Sequence, residues 1–127
     1  MYNATILELF QQPYHMQDLP DADVVGQVGI EGEGPYMTVY LRLLDRQIQQ
    51  ASFETYGCPS AIACGSWVAR WVEGKSVEEV LVLGPDELSL VLGGLPLGKE
   101  HCAGLAVGAL RSAIEQLSLP EQPQDGA

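Results

Sequence analysis

Three sulfurs and one imidazole are the side chains of this sequence whose types and positions suggest chemistry. Cys58 stands in the stretch FETYGCPSAIACGSWVARWVEGKS, between a strand-like run and an apolar helical one, with Pro59 directly after it. Cys64 follows six residues later, and Cys102, preceded by His101, opens the last apolar helical run. Pro59 suits the first position of a helix, where a missing N–H goes unnoticed. Cys58 and Cys102 are therefore both expected at helix N-termini, where free N–H groups and the positive end of the helix dipole favour the thiolate. The thiolate is the form that binds soft metals and attacks sulfur. Should the two helix ends converge, two sulfurs and an imidazole would form a pocket suited to zinc or iron–sulfur chemistry. Spacing alone leaves a plainer reading open: there is no CxxC, 44 residues separate Cys58 from Cys102, and two half-buried thiols need no chemistry at all.

Cys64 is the candidate third sulfur. Six helical residues carry the chain ~9 Å along the axis and turn it ~240° away from Cys58. Two thiolates on one zinc, each ~2.3 Å from the metal, lie under ~4.6 Å apart. A regular helix thus favours a packed core thiol, on a stripe with Ala61 and Val68. Unwinding at Cys58-Pro59 or a multi-iron cluster would admit Cys64 as a ligand. Among weaker candidates, Glu31 and Glu33 read as a solvated turn that could lend an oxygen, His15 as a surface loop residue, and Trp67 and Trp71 as core. No Ser–His–Asp order, glycine-rich phosphate loop or HExxH motif is present.

The elements that must position these residues follow from periodicity. Asn3 or Thr5 can cap a short helix whose apolar face is Ile6, Leu7, Leu9 and Phe10, and Pro13 stops it. YHMQDLPDAD reads as loop. Residues 24–32, 36–44 and 47–56 alternate as strands do, with a turn at Asp45-Arg46, and three such runs with short links predict an antiparallel meander. After Cys58 the period becomes helical, with Ala61, Cys64, Val68 and Trp71 on one stripe and Gly74 closing the run. Ser76 and Glu79 form a capping box for a short helix, Pro85 and Asp86 open another, and Gly93-Gly94 end it. The last helix is expected over 102–117, burying Leu105, Ala106, Ala109, Leu110, Ala113 and Leu117. The fold class is α+β: a three-stranded antiparallel sheet with helices packed on one side.

Size and charge bound the rest. The 127 residues suit one domain, expected over 2–117, with a polar, Pro-rich tail over 118–127 expected to be disordered. Three cysteines are too few and too odd for a disulfide framework. The opening MYNATILELFQQPYH has no basic leader, and no stretch approaches the ~18 apolar residues of a membrane span. The expectation is a soluble, cytoplasmic protein with reduced thiols. Six Lys and Arg against a formal charge of −11 leave no basic footprint for nucleic acid. An acidic balance serves solubility, or steers a basic protein partner.

Taken together, TYGCPSAIACGS, VEGKSVEEV and LPLGKEHC, in that order, resemble the central signatures of the IscU/NifU-type iron–sulfur cluster assembly scaffolds. Order and spacing agree over roughly residues 2 to 117. The resemblance implies an IscU/SufE-like fold and a protein that binds and transfers rather than turns over. It would receive sulfur from a cysteine desulfurase and hold iron and sulfide, as a transient cluster of the [2Fe–2S] kind, or zinc in the same place. It would then pass the product to apoproteins. Carried over by position, Cys58, His101 and Cys102 match three of the family's ligands, and Lys99 its neighbouring lysine. The family's first cysteine and its aspartate are missing, since EGEGPYM puts Gly34 and Tyr36 where they belong. Leu97 and Gly98 replace the residues expected before Lys99, which argues against recognition by a dedicated chaperone. The resemblance leaves two alternatives standing: a metal-free sulfur acceptor of related fold, and a homologue that has lost metal binding.

Overall fold

A computed structural model describes residues 2–118, Ser118 through its backbone alone. The elements in chain order are α1 (Ala4–Gln11), β1 (Val24–Val28), β2 (Tyr36–Leu44), β3 (Gln47–Tyr56), α2 (Pro59–Val72), α3 (Val77–Val80), α4 (Pro85–Val91) and α5 (His101–Ser118). The strands form one antiparallel sheet in the order β1-β2-β3, as the meander pattern predicts. Leu44 pairs with Gln47 across a two-residue hairpin whose residues Asp45 and Arg46 both have positive φ, 54° and 64°. That is the turn whose twist matches the strands, although Asn-Gly is its usual filling. Here the Arg46 carbonyl accepts the Val77 N–H at 3.0 Å and its side chain pairs with Glu78 at 2.7 Å, so α3 holds the turn in shape.

Helices cover the sheet: α5 packs on β1 and β2, α2 on β3, and α1 on α2. The core between them includes Met37, Val39, Leu41, Phe53, Val68, Ala106 and Leu110. Gly26 explains how closely α5 can approach. A Cβ there would lie 2.1 Å from the Ala109 carbonyl oxygen and 2.2 Å from the Ala113 nitrogen. Alternation in β1 stops at Val28, short of the expected residue 32, because Gly29 turns the chain with φ 87°.

Several local expectations change. Asn3, not Thr5, caps α1; its Oδ1 accepts the Ile6 N–H at 2.9 Å while its Nδ2 donates to the Leu92 carbonyl at 2.9 Å, tying α1 to the end of α4. Only Ile6 of the expected α1 face is fully buried, since Leu7 and Phe10 remain 39% and 37% exposed. α5 begins one residue early and turns Cys102, Ala103, Val107 and Ile114 inward, leaving Leu105 and Leu117 half-buried. Trp67 and Trp71 are half-buried rather than core, stacked on each other with centroids 5.5 Å apart. His15 lies in a loop and is part-exposed, as expected, but it is tied down: its carbonyl accepts the Phe53 N–H at 3.1 Å, and its ring stacks on Tyr14. The expected tail loses Ser118 to α5; the rest of it, 119–127, lies outside the described residues.

Candidate functional site

Cys58 is the N-cap of α2, extended at φ −90° and ψ 176°, with Pro59 at the first helical position. Cys102 is the second residue of α5 and 1% exposed. The two helix starts meet, and the sulfurs stand 3.8 Å apart as free thiols. Two thiolates on one tetrahedral metal at ~2.3 Å each would be separated by one tetrahedral edge, ~3.8 Å. The donor types and their spacing therefore fit a shared soft ion without rearrangement of this pair. His101 opens α5, exposed, with Nε2 3.8 Å from the Cys102 sulfur.

The two thiols are not equivalent. Burial works against ionisation of Cys58, but the Ala61 and Ser60 amides, the Cys102 thiol and the Lys99 cation outweigh it, and its pKa falls below the ordinary value. The Ala61 and Ser60 N–H groups at the start of α2 favour the charged sulfur by their closeness, without closing a capping bond to it. Cys102 moves the other way. Burial, then the charge of Cys58 and the hydrogen bond with it, push its thiol up to about 12 against the pull of Lys99. The expectation that both helix ends stabilise a thiolate thus holds for Cys58 alone, because at Cys102 burial and the neighbouring charge outweigh the helix end. Of the two, Cys58 is the readier to ionise and Cys102 the one that keeps its proton longer.

Cys64 is fully buried in the hydrophobic core, on the stripe of α2 that runs from Ser60 to Val68. Burial pushes its thiol far up, with smaller contributions from the charges of Cys102 and Cys58. Its sulfur is thus within electrostatic reach of the pair but held as a neutral core group. Among the described residues no three or more His, Cys, Asp or Glu side chains close into a ready-made ion cage.

Gly34 and Tyr36 line a separate cleft of about 490 Å³ with Glu31, Gly32, Thr55 and Tyr56. None of the cysteines borders it, so chemistry rather than cavity size selects the thiol pair as the site. Glu31 and Glu33 are both exposed there, as a solvated turn should be. Sequence reasoning passed over Ser60. Its hydroxyl is fully buried, two residues past Cys58, and has no hydrogen-bond partner. The signal was its place four residues before Cys64, on the same helical stripe.

Comparisons with known proteins place the chain in a family. The family described as NifU-like N terminal domain matches residues 1–122. A protein of Archaeoglobus fulgidus named iron-sulfur cluster assembly scaffold protein IscU 1 is 41% identical over 114 residues, covering 90% of this chain and 74% of that one. The scaffold protein IscU of Haemophilus influenzae is 34% identical over 117 residues, 89% of this chain and 92% of its own. A NifU-like N-terminal structure from Brucella abortus superimposes with a TM-score of 0.72 at 24% identity, covering 91% of this chain and 93% of that one, a likeness of fold. With its three-stranded meander, its helices over the sheet and these relatives, the chain belongs to the NifU N-terminal-like family of iron–sulfur cluster assembly scaffolds.

Proposed function

We propose that residues 2–117 form a scaffold unit on which an iron–sulfur cluster, the substrate of the process, is built at Cys58, Cys102 and His101 and then released to apoproteins. The observation that carries this reading is the 3.8 Å separation of two thiols brought together from helix starts 44 residues apart. Cys58, with its pKa lowered, is the group to receive sulfur. Its thiolate attacks the outer sulfur of a cysteine desulfurase's persulfide; a new S–S bond forms at Cys58, the old one breaks, and the desulfurase leaves with its own thiolate. Release of that sulfur as sulfide takes two electrons from an external reductant such as a dithiol. Cys102 then loses its proton as iron arrives, since a metal ion favours the thiolate outright. Iron and zinc compete for the same donors, and a two-iron cluster would need Cys64, a partner or a second copy to complete its ligands. The protein is a carrier rather than a turnover enzyme, and we place it in the cytoplasm. Among the described residues no helix is long and apolar enough to cross a membrane.

A second reading, a persulfide carrier that binds no metal, is favoured by the presence of one readily ionised thiol, Cys58, beside one held protonated, Cys102. Anaerobic reconstitution with ferrous iron, cysteine, a cysteine desulfurase and dithiothreitol separates the two. Charge-transfer absorbance that is lost in both Cys58→Ala and Cys102→Ala is the expected result. Persulfide found on Cys58 by mass spectrometry in a parallel reaction without dithiothreitol, with no iron bound in either, would establish the carrier instead.

A further inference from the structure

With six cations against seventeen carboxylates, where each cation goes is informative. Arg42 pairs with Asp21 at 2.9 Å and Arg46 with Glu78 at 2.7 Å. Arg111 donates to the Leu83 carbonyl at 3.0 Å, and Lys99 acts on the thiols. The remaining two, Arg70 and Lys75, line a single cleft of about 320 Å³ together with Trp67, Trp71 and Glu73. These are both tryptophans of the chain. Their rings lie 18° from parallel, and the Lys75 ammonium sits 4.9 Å from the Trp71 ring centre while donating to the Trp71 carbonyl at 2.9 Å. Arg70 is exposed and has no ion pair among the described residues.

Glu73 is the one carboxylate in the lining, and it is already engaged. It accepts from the Tyr14 hydroxyl and from the Ala51 N–H at 2.9 Å, with His15 Nδ1 at 3.3 Å. What the cleft offers a visitor is therefore the exposed part of the stacked tryptophan pair, the Arg70 guanidinium, and the Lys75 ammonium, which keeps donor capacity beyond its bond to the Trp71 carbonyl. Trp and Arg are the residue types that dominate the energetics where proteins meet. A shallow cleft of this volume lies at the small end of the range for enclosed ligands. The two cations disfavour a basic partner and suit carboxylates.

We propose that this cleft docks an acidic segment of a partner protein, an apolar side chain resting on Trp67 and Trp71 and carboxylates pairing with Arg70 and Lys75. The tryptophans lie nine and thirteen residues beyond Cys58, or about 14 and 20 Å along the helix, so a partner held there leaves the thiols open. The net charge of −11 opposes an acidic ligand at long range, but at physiological salt that field fades within ~8 Å and the local cations decide. The inference goes beyond the scaffold reading and does not depend on it.

The test titrates the reduced full chain with an acetylated, amidated peptide, Glu-Glu-Leu-Phe-Glu-Glu, following tryptophan emission. Because both tryptophans line the cleft, the signal comes from the site. Two control peptides carry Gln or Lys in place of each Glu. Saturable change with the acidic peptide, weakened about tenfold in Arg70→Glu and weakened by added NaCl, is expected. The proposal is overturned by equal saturation with the Gln peptide, by tighter binding of the Lys peptide, by unchanged affinity in Arg70→Glu, or by no response up to about 1 mM.

Discussion

Cys58 and Cys102 lie side by side, yet they should react with an alkylating agent at very different rates. The Cys58 thiol titrates below its ordinary value of 9.0 and that of Cys102 near 12. A gap of at least about three units gives Cys58 at least a thousandfold larger thiolate share at pH 7. The more basic thiolate is the better nucleophile, and with a Brønsted slope of ~0.45 this returns roughly 25-fold to Cys102. The balance is about fortyfold in favour of Cys58, before the 1% exposure of Cys102 slows it further. Pulsed iodoacetamide labelling of the metal-free protein, quenched and read by peptide mass spectrometry from pH 6 to 10, measures both rates at once. The Cys58 rate should level off below the pH at which a free thiol does, while that of Cys102 still climbs at pH 10. Replacing Cys58 by alanine removes a negative charge and a hydrogen bond that hold Cys102 protonated, so the Cys102 profile should move to lower pH. Equal labelling in the native protein would refute the division of roles. So would a Cys102 profile that stays in place in Cys58→Ala, since it would make burial the whole cause.

The remaining predictions concern stability. Gly26→Ala drives a methyl group into the α5 backbone at Ala109 and Ala113, and should destabilise by about 1–3 kcal/mol or more. That lowers the melting temperature by several degrees for each kcal/mol, and an unchanged melt would mean that α5 is not seated on β1. Burial holds Cys64 and Cys102 protonated, whereas the unfolded chain ionises its thiols above about pH 8.5. The stability these neutral thiols lend is therefore whole below that pH and is lost as pH rises toward 12. Thermal melts between pH 8 and 10 should show the decline, with a shallower slope in Cys64→Ala; parallel slopes would put Cys64 outside the core.

How much of this was legible in the sequence depends on the range of the interaction involved. The meander, the helical stripe after Cys58 and the Ser76 capping box are set by neighbours a few residues apart, and each stands where periodicity placed it. The meeting of Cys58 with Cys102 was readable only as a condition, since nothing local joins positions 44 apart; the family likeness supplied it. The buried face of α5 was read correctly at Ala106, Ala109, Leu110 and Ala113, and what could not be read was its exact width and edge. Alanine and glycine line both sides of it, and the choice of Ala103 and Val107 over Leu105 follows from the fit of its backbone onto Gly26. The roles of the two thiols were hidden for the same reason. Helix position alone treats Cys58 and Cys102 alike, while the depth of Cys102 is a tertiary fact. His15 and Glu73 joined through contacts between segments 58 residues apart, which no pattern announces.

The family resemblance puts Gly34 where the first cysteine would stand, and the exchange it implies involves more than a side chain: Gly34 holds φ 105° with open space around it. A non-glycine residue would be strained there by about 1–3 kcal/mol, whatever the room available. The loop backbone here is one that suits glycine, and a cysteine placed at 34 would start from a conformation that resists it. On the proposed reading, the ligand set of the built cluster is then completed by something other than this loop. The asymmetry of the remaining pair makes such a site workable. On that reading Cys58, the more readily ionised thiol, accepts sulfur while the site is empty, and Cys102, held protonated until metal arrives, spares the buried pocket a second charge. Two adjacent thiolates without an ion between them would repel at 3.8 Å in a medium where such repulsion is several kcal/mol. Protonating the deeper one removes that penalty and leaves the shallower one reactive.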